Sequence, residues 1–283
     1  LPEVVPGFLH AILQSRGESG STGLDIIPRT AKDSRMKRIL YSTLTLAALA
    51  FAATLTAQPN NAGITPEPKQ NTAIVPVGRE GRAQDRTAEV LKRAKENPGE
   101  CDIAFIGDSI TEGWEGAGRE AWTNSYAKRK CLNLGVSGDR TQHVLWRFEN
   151  AQLDGIKPKV VVLMIGTNNS NGADNTEAEI LEGVQAILTQ IKTRLPETKT
   201  VLVGIFPRGQ TFSAQRGKNL QVNQALAKQA DNKSVFYVDF GAKLIEKDGS
   251  ISKEVMPDYL HLSPKGYEIW AKSTESVLKK LGV

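Results

Sequence analysis

Cysteine and histidine are scarce in this chain. Its 283 residues include two cysteines, Cys101 and Cys131, and three histidines, His10, His143 and His261. Neither type has the spacing of metal ligands, so no metal and no cofactor is expected. Aromatic residues make up 6% of the chain and do not interleave with a basic stripe, which argues against nucleic-acid binding. Charge of one sign is not concentrated either. The formal net charge is +5, but residues 1–57 hold six Lys/Arg and four Asp/Glu, so the remaining 30 basic and 27 acidic residues leave +3. Gly-rich phosphate cradles are absent. Gly135-Val136-Ser137-Gly138 lacks the Gly-x-Ser-x-Gly spacing of a nucleophile elbow. What is present, 40% hydrophobic and 24% charged residues, is the composition of an ordinary globular protein with room for a sizeable core.

One long apolar run does occur. Met36-Lys37-Arg38 is followed by Ile39 to Leu55, rich in Leu and Ala, with small residues for cleavage after Ala52 or Ala57. This is the pattern of a secretory signal over 36–57. Five Ser/Thr within Ile39–Thr56 and a borderline length weigh against a membrane anchor. The expected location is therefore secreted or periplasmic, with no stable membrane span in the mature protein. Residues 1–35 are polar, show no sustained period, and read as a non-native extension ahead of a start at Met36. Residues 58–80, rich in Pro and Asn, read as a linker. In an oxidising compartment Cys101 and Cys131 could close a loop of about 30 residues, worth about 3–4 kcal/mol. Two buried free thiols are the alternative.

Residues 81–283 read as one domain. Arg82 to Glu96 has helical character and is ended by Pro98-Gly99. Apolar runs at Ile103–Ile106, Leu132–Leu134, Val160–Ile165, Val201–Phe206 and Val235–Val238 then alternate with helix-like stretches. Among these, 176–195 opens with the capping box Thr176/Glu179, carries apolar residues from Ile180 to Ile191 at a period near 3.6, and stops at Pro196. Two more helices are expected from Ala214 to Ala230 and from Pro264 to Leu281. Alternation of this kind means βαβ units around a parallel sheet. Five strands fit a three-layer α/β/α, flavodoxin-like domain. Because the strands are near-continuous apolar runs, both faces are expected to be covered.

Ligands bind such sheets at the carboxyl ends of the strands, so the residues delivered there matter most. The first strand delivers Gly107-Asp108-Ser109, and the second Gly135-Val136-Ser137-Gly138-Asp139. The third delivers Gly166-Thr167-Asn168-Asn169, and the fourth Phe206-Pro207-Arg208. After the fifth comes Asp258-Tyr259-Leu260-His261. A serine nucleophile needs a base within hydrogen-bond reach, and the base needs an orienting group. His261, three residues after Asp258 and just before a helix, suits that role better than His143, which has only Asp139 nearby; His10 lies ahead of the signal. A tetrahedral intermediate also needs donors aimed at one oxygen. Candidates are the backbone N–H of Ser109, a glycine N–H of the Gly-Val-Ser-Gly turn, and the Asn168 amide. Asp108 and Arg208 are candidate pocket residues.

Taken together, these blocks resemble the SGNH (GDSL-type) hydrolases, and closely the branch of platelet-activating-factor acetylhydrolase-like esterases. Phe105–Ser109, Asn133–Arg147, Ile165–Asn169 and Met256–Leu262 carry the resemblance, which covers about residues 79–281. It implies a catalytic domain over 81–283, with Ser109 as nucleophile and Asp258 and His261 completing a triad. Gly138 and Asn168 would join Ser109 in the oxyanion hole. The third block reads Gly-Thr-Asn-Asn where many relatives have Gly-x-Asn-Asp. His143 and Trp146 would be packing and hydrogen-bonding residues, and a homodimer is allowed. The expected function is a serine esterase acting on small acyl esters, acetyl first, on a carbohydrate or a lipid. The alternatives are a longer-chain lipase or lysophospholipase, or a non-catalytic binding module on the same fold.

Overall fold

A computed structural model describes residues 69–283. The extension at 1–35, the signal at 36–57 and the first part of the linker lie outside the described residues. The order of elements is α1 (Arg82–Glu96), β1 (Gly99–Gly107), α2 (Ser109–Glu112), α3 (Arg119–Tyr126), β2 (Cys131–Gly135), α4 (Thr141–Glu149) and β3 (Ile156–Met164). There follow α5 (Glu177–Arg194), β4 (Lys199–Val203), α6 (Ala214–Leu226), β5 (Val235–Val238) and α7 (Pro264–Lys280).

The strands form one five-stranded parallel sheet in the order β2-β1-β3-β4-β5. The chain therefore leaves β1 toward one edge and β3 toward the other. The crevice between the carboxyl ends of β1 and β3 is the topological switch point, where open α/β sheets take their ligands. Both faces are buried, as the apolar runs implied. Ala104, Ile106, Val161 and Leu163 pack on one side with Val90 of α1, Val144 of α4, Val184 of α5 and Val222 of α6. Ile103, Phe105, Val160 and Val162 pack on the other side with Tyr126 of α3 and Trp270 of α7. That second layer is aromatic. Trp114 lies 4.7 Å from the Tyr267 ring and 5.2 Å from Trp270, and Phe105 lies 5.0 Å from Tyr126, centroid to centroid. Fully burying side chains of this size stabilises by about 1.5–3 kcal/mol each.

The capping box of α5 is formed: Thr176 Oγ1 accepts from the Glu179 N–H at 3.2 Å and Glu179 Oε2 from the Thr176 N–H at 2.7 Å. Two features differ from the sequence reading. The apolar run Val201–Phe206 ends as a strand at Val203, because both backbone groups of Ile205 pair with the Asn223 side chain, at 2.8 Å each. Over 69–80, the stretch read as a linker is a strap lying on α4 and α5. There the Thr141 hydroxyl donates to the Ala73 carbonyl (2.7 Å), Asn175 Nδ2 to Thr72 Oγ1 (2.9 Å), and Ala73 is buried. Of the two readings of the cysteines, the structure has the free thiols at Cys101 and Cys131. Cys101 packs in the core of one face while Cys131 lies against the core of the other, so the sheet separates them.

Candidate active site

Gly107 ends β1 with its Cα pressed between Thr111 and the Met164 carbonyl, leaving no room for a side chain. The next residue, Asp108, caps α2: its Oδ1 accepts from the Ile110 N–H at 3.0 Å. Ser109 is thus the first residue of α2, half-buried, at the edge of the switch-point crevice.

The loop after β5 brings Asp258 and His261 to the same edge. Asp258 Oδ1 accepts from the backbone N–H of Leu260 (3.1 Å) and of His261 (2.8 Å), so the chain wraps around its own carboxylate. Tyr259, within this turn, has a left-handed backbone with φ 60°. Its carbonyl accepts from the Gly209 N–H at 2.8 Å, which ties the turn to the loop after β4. Ser263 then caps α7. The wrapped turn places His261 Nδ1 2.6 Å from Asp258 Oδ2, and His261 Nε2 2.9 Å from Ser109 Oγ. An ionised carboxylate only accepts, so Nδ1 carries the ring proton and Nε2 accepts from the serine hydroxyl. Burial would raise the Asp258 carboxyl, but the His261 side chain and the two backbone N–H groups hold it below the usual carboxylate range.

His143 has no such arrangement. Its Nδ1 accepts from the Arg140 N–H at 3.0 Å. Burial and the nearby Arg79, Arg140 and Arg147 push its pKa down to about 3, so it stays neutral and structural.

Asn168 lies in the loop after β3 and Gly138 in the turn after β2. Asn168 Nδ2 donates one hydrogen to the Asp139 carbonyl at 2.9 Å, which leaves the second hydrogen with a fixed direction. Gly138 has φ 78°, a conformation that turns its peptide in a way L side chains resist. Asp139 is buried. Burial pushes its carboxyl up to about 6, and Arg147 opposes that rise from 3.0 Å away.

Asp108 is fully buried, and its second oxygen has no hydrogen-bond partner among the described residues. Arg208 is half-buried. Its Nη1 donates to the Thr167 carbonyl (3.2 Å), to Thr167 Oγ1 (3.2 Å) and to Asn171 Oδ1 (3.1 Å), while Asp108 and Asp258 act on its charge. A cavity of about 410 Å³ opens at the serine, lined by Ser109, Glu112, Gly116, Ser137, His261 and Tyr267. Among the described residues no group of three His, Cys, Asp or Glu side chains is placed to hold a metal ion.

Several residues of this edge make contacts that the sequence does not signal. Glu112 Oε2 accepts from the Ser137 N–H at 2.6 Å. Asn133 Nδ2 donates to the Thr111 carbonyl at 3.0 Å, and the Tyr267 hydroxyl to the Ile110 carbonyl at 2.7 Å. Buried Arg147 donates from Nη1 to the Leu134 carbonyl at 2.7 Å. All of them position α2 or the turn after β2, across large sequence separations.

A serine–imidazole–carboxylate relay at a strand end, on a sheet edge that also carries an amide and a glycine turn, suits acyl transfer. The chain belongs to the GDSL-like Lipase/Acylhydrolase family, whose match spans residues 105–269. It is therefore a carboxylic ester hydrolase by family. It is 38% identical over 183 residues to the human platelet-activating factor acetylhydrolase IB subunit alpha1, covering 64% of this chain and 77% of that relative. Among solved structures, a GDSL-like lipase from Bacteroides thetaiotaomicron aligns with a TM-score of 0.55 at 20% identity, over 70% of this chain and 98% of that one. A variant of an acetyl-xylooligosaccharide esterase from Geobacillus Stearmophilus aligns with a TM-score of 0.51 at 20% identity, over 65% and 94%. These two likenesses show the fold. No helix among the described residues is long and apolar enough to cross a membrane.

Proposed function

We propose that the chain is a serine esterase that removes small acyl groups, acetyl first, through an acyl-enzyme. The observation that carries this is the relay from Ser109 Oγ to His261 Nε2 (2.9 Å) and from His261 Nδ1 to Asp258 Oδ2 (2.6 Å). His261 takes the serine proton as Oγ attacks the ester carbonyl, and Asp258 stabilises the imidazolium that forms. The N–H of Ser109, the N–H of Gly138 and the free hydrogen of Asn168 Nδ2 receive the oxyanion. His261 then gives its proton to the leaving alcohol and activates the water that releases the acid.

The small-acyl reading is supported by where the apolar space lies. The cavity at Ser109, about 410 Å³, is lined by Glu112, Gly116, Ala117, Ser137, Leu262 and Tyr267. A more apolar cavity, about 470 Å³ around Ile205, Phe212, Leu220 and Ile245, is lined by none of Ser109, Asp258 and His261. The acetylhydrolase named among the relatives points the same way. The rest of the substrate is an acetylated carbohydrate or an acetylated lipid. Export through a signal at 36–57 belongs to this reading, and a mass spectrum of the mature N-terminus tests it.

A fluorophosphonate probe is expected to label Ser109, as located by peptide mass spectrometry, and Ser109→Ala to lose both the label and the hydrolysis of p-nitrophenyl acetate while staying folded. Near wild-type turnover by that variant would sink the assignment. On a series of p-nitrophenyl esters, acetate should outrun octanoate. The reverse order favours a longer-chain lipase or lysophospholipase, and no turnover of any ester favours a binding module.

A further inference from the structure

We propose that Arg79, which lies ahead of the family-matched region, is a positioning residue that sets and polarises the Gly138 N–H. This rests on the reading of that N–H as an oxyanion donor. Arg79 sits at the end of the strap, and the strap is anchored. The Val77 N–H donates to the Gln142 carbonyl at 3.3 Å, and Gly78 lies so close to the Trp146 ring that a Cβ there would come within 3.1 Å of it. From this anchor the guanidinium reaches the turn after β2. Nη1 donates to the Gly138 carbonyl at 2.7 Å and lies 3.2 Å from His143 Nδ1; Nη2 donates to the Ser137 carbonyl at 3.5 Å.

Two consequences follow from which carbonyls these are. The Ser137 carbonyl and the Gly138 N–H belong to one peptide group, so a cation on the oxygen draws electron density from the nitrogen and makes the N–H a stronger donor. The bond to the Gly138 carbonyl fixes the next peptide, and with it the left-handed φ of 78° at Gly138. Glu112 Oε2 meanwhile accepts from the Ser137 N–H at 2.6 Å, and Asn168 Nδ2 donates to the Asp139 carbonyl at 2.9 Å. The turn is therefore clamped from α2, from the loop after β3 and from the strap, and among the described residues Arg79 is the cation whose bonds fall on the Ser137 and Gly138 carbonyls themselves. His143 completes the arrangement. With Nδ1 facing both Arg79 and the Arg140 N–H, it is an acceptor that steers the guanidinium.

The test compares Arg79→Gln, Arg79→Lys and Ser109→Ala in the full chain, with p-nitrophenyl acetate as substrate. Arg79→Gln is expected to lower kcat by at least about tenfold with KM within about twofold, because the support acts on a transition-state donor. Millimolar ethylguanidinium should restore part of that kcat, a response that a merely structural arginine would not give. Arg79→Lys should be intermediate, since an ammonium cannot span both carbonyls. The proposal is overturned if Arg79→Gln keeps kcat within about twofold of wild type, if its loss lies in KM alone, or if ethylguanidinium restores nothing. Should Arg79→Gln not fold, Arg79→Lys decides: a several-fold loss of kcat supports the role and a wild-type kcat overturns it. An active Ser109→Ala would instead remove the underlying serine-esterase reading, whatever Arg79 does.

Discussion

Asp108 shows what one residue does at this site besides supplying a side chain to the turn. One of its oxygens caps α2 and the other has no hydrogen-bond partner among the described residues, and burial pushes the carboxyl up to about 7. In an unfolded chain the same group titrates near ~3.9. A carboxyl whose pKa is raised by folding contributes stability that is full below about pH 4 and is lost as the pH rises toward 7. Asp108→Asn keeps an oxygen for the cap and never ionises. Its Tm relative to wild type should rise from about pH 4 to about pH 7 and level off above, and a flat difference from pH 4 to pH 7 would contradict the assignment. Asn168 gives a kinetic expectation at the same scale. With one hydrogen committed to the Asp139 carbonyl, its other hydrogen is the oxyanion donor of the mechanism proposed above. Asn168→Ala should therefore lower kcat by about a hundredfold or more, with little change in KM, in steady-state assays.

At the scale of elements, the decisive contact is between the end of β2 and the short helix α2. A Cβ on Gly135 would lie 2.3 Å from the Glu112 nitrogen and 2.7 Å from the Thr111 carbonyl carbon, both backbone atoms that cannot swing aside. Gly135→Ala should therefore push α2 away. The expected cost is about 1–3 kcal/mol of stability, read by denaturant titration, together with a loss of kcat in the folded fraction, because Ser109 moves with α2. The helices and strands that frame this contact were legible in the sequence, because their signals are local: a buried run for each strand, and Thr176 and Glu179 at the start of α5. The site blocks were legible for the same reason, each being a short run at a strand end. The contacts of Glu112, Asn133, Tyr267 and Arg147 were not. Each reads locally as an ordinary helix or strand residue, and its purpose lies in a partner on another element. Arg147 in particular reads as a cation on an amphipathic helix, yet it is buried against Leu134 and Asp139. The strap was missed because Pro and Asn mark irregular backbone without saying whether that backbone is packed.

For the whole molecule, the sheet acts as a partition. Cys101 and Cys131 lie toward opposite faces of it, so neighbouring strands do not make a disulfide. Burial pushes the two thiols up to about 11 and about 12, which leaves little thiolate near neutral pH. Ellman's reagent should count two thiols per chain in denaturant without reductant, and react slowly with the native protein. A count of zero in denaturant would mean that the cysteines are paired.

The 152-residue separation between Ser109 and His261 has a consequence in time as well as in space. The serine, the glycine turn and the amide arrive early as the chain is made, and four of the five strands precede the last. The imidazole and its carboxylate come after the last strand, on a turn held by α7 through Ser263. A growing chain therefore lacks the base and its carboxylate until the segment after β5 has been made. Under the chemistry proposed above, hydrolytic competence waits on the docking of that turn rather than being acquired by degrees. Ester turnover then reports that the turn after β5 has reached Ser109.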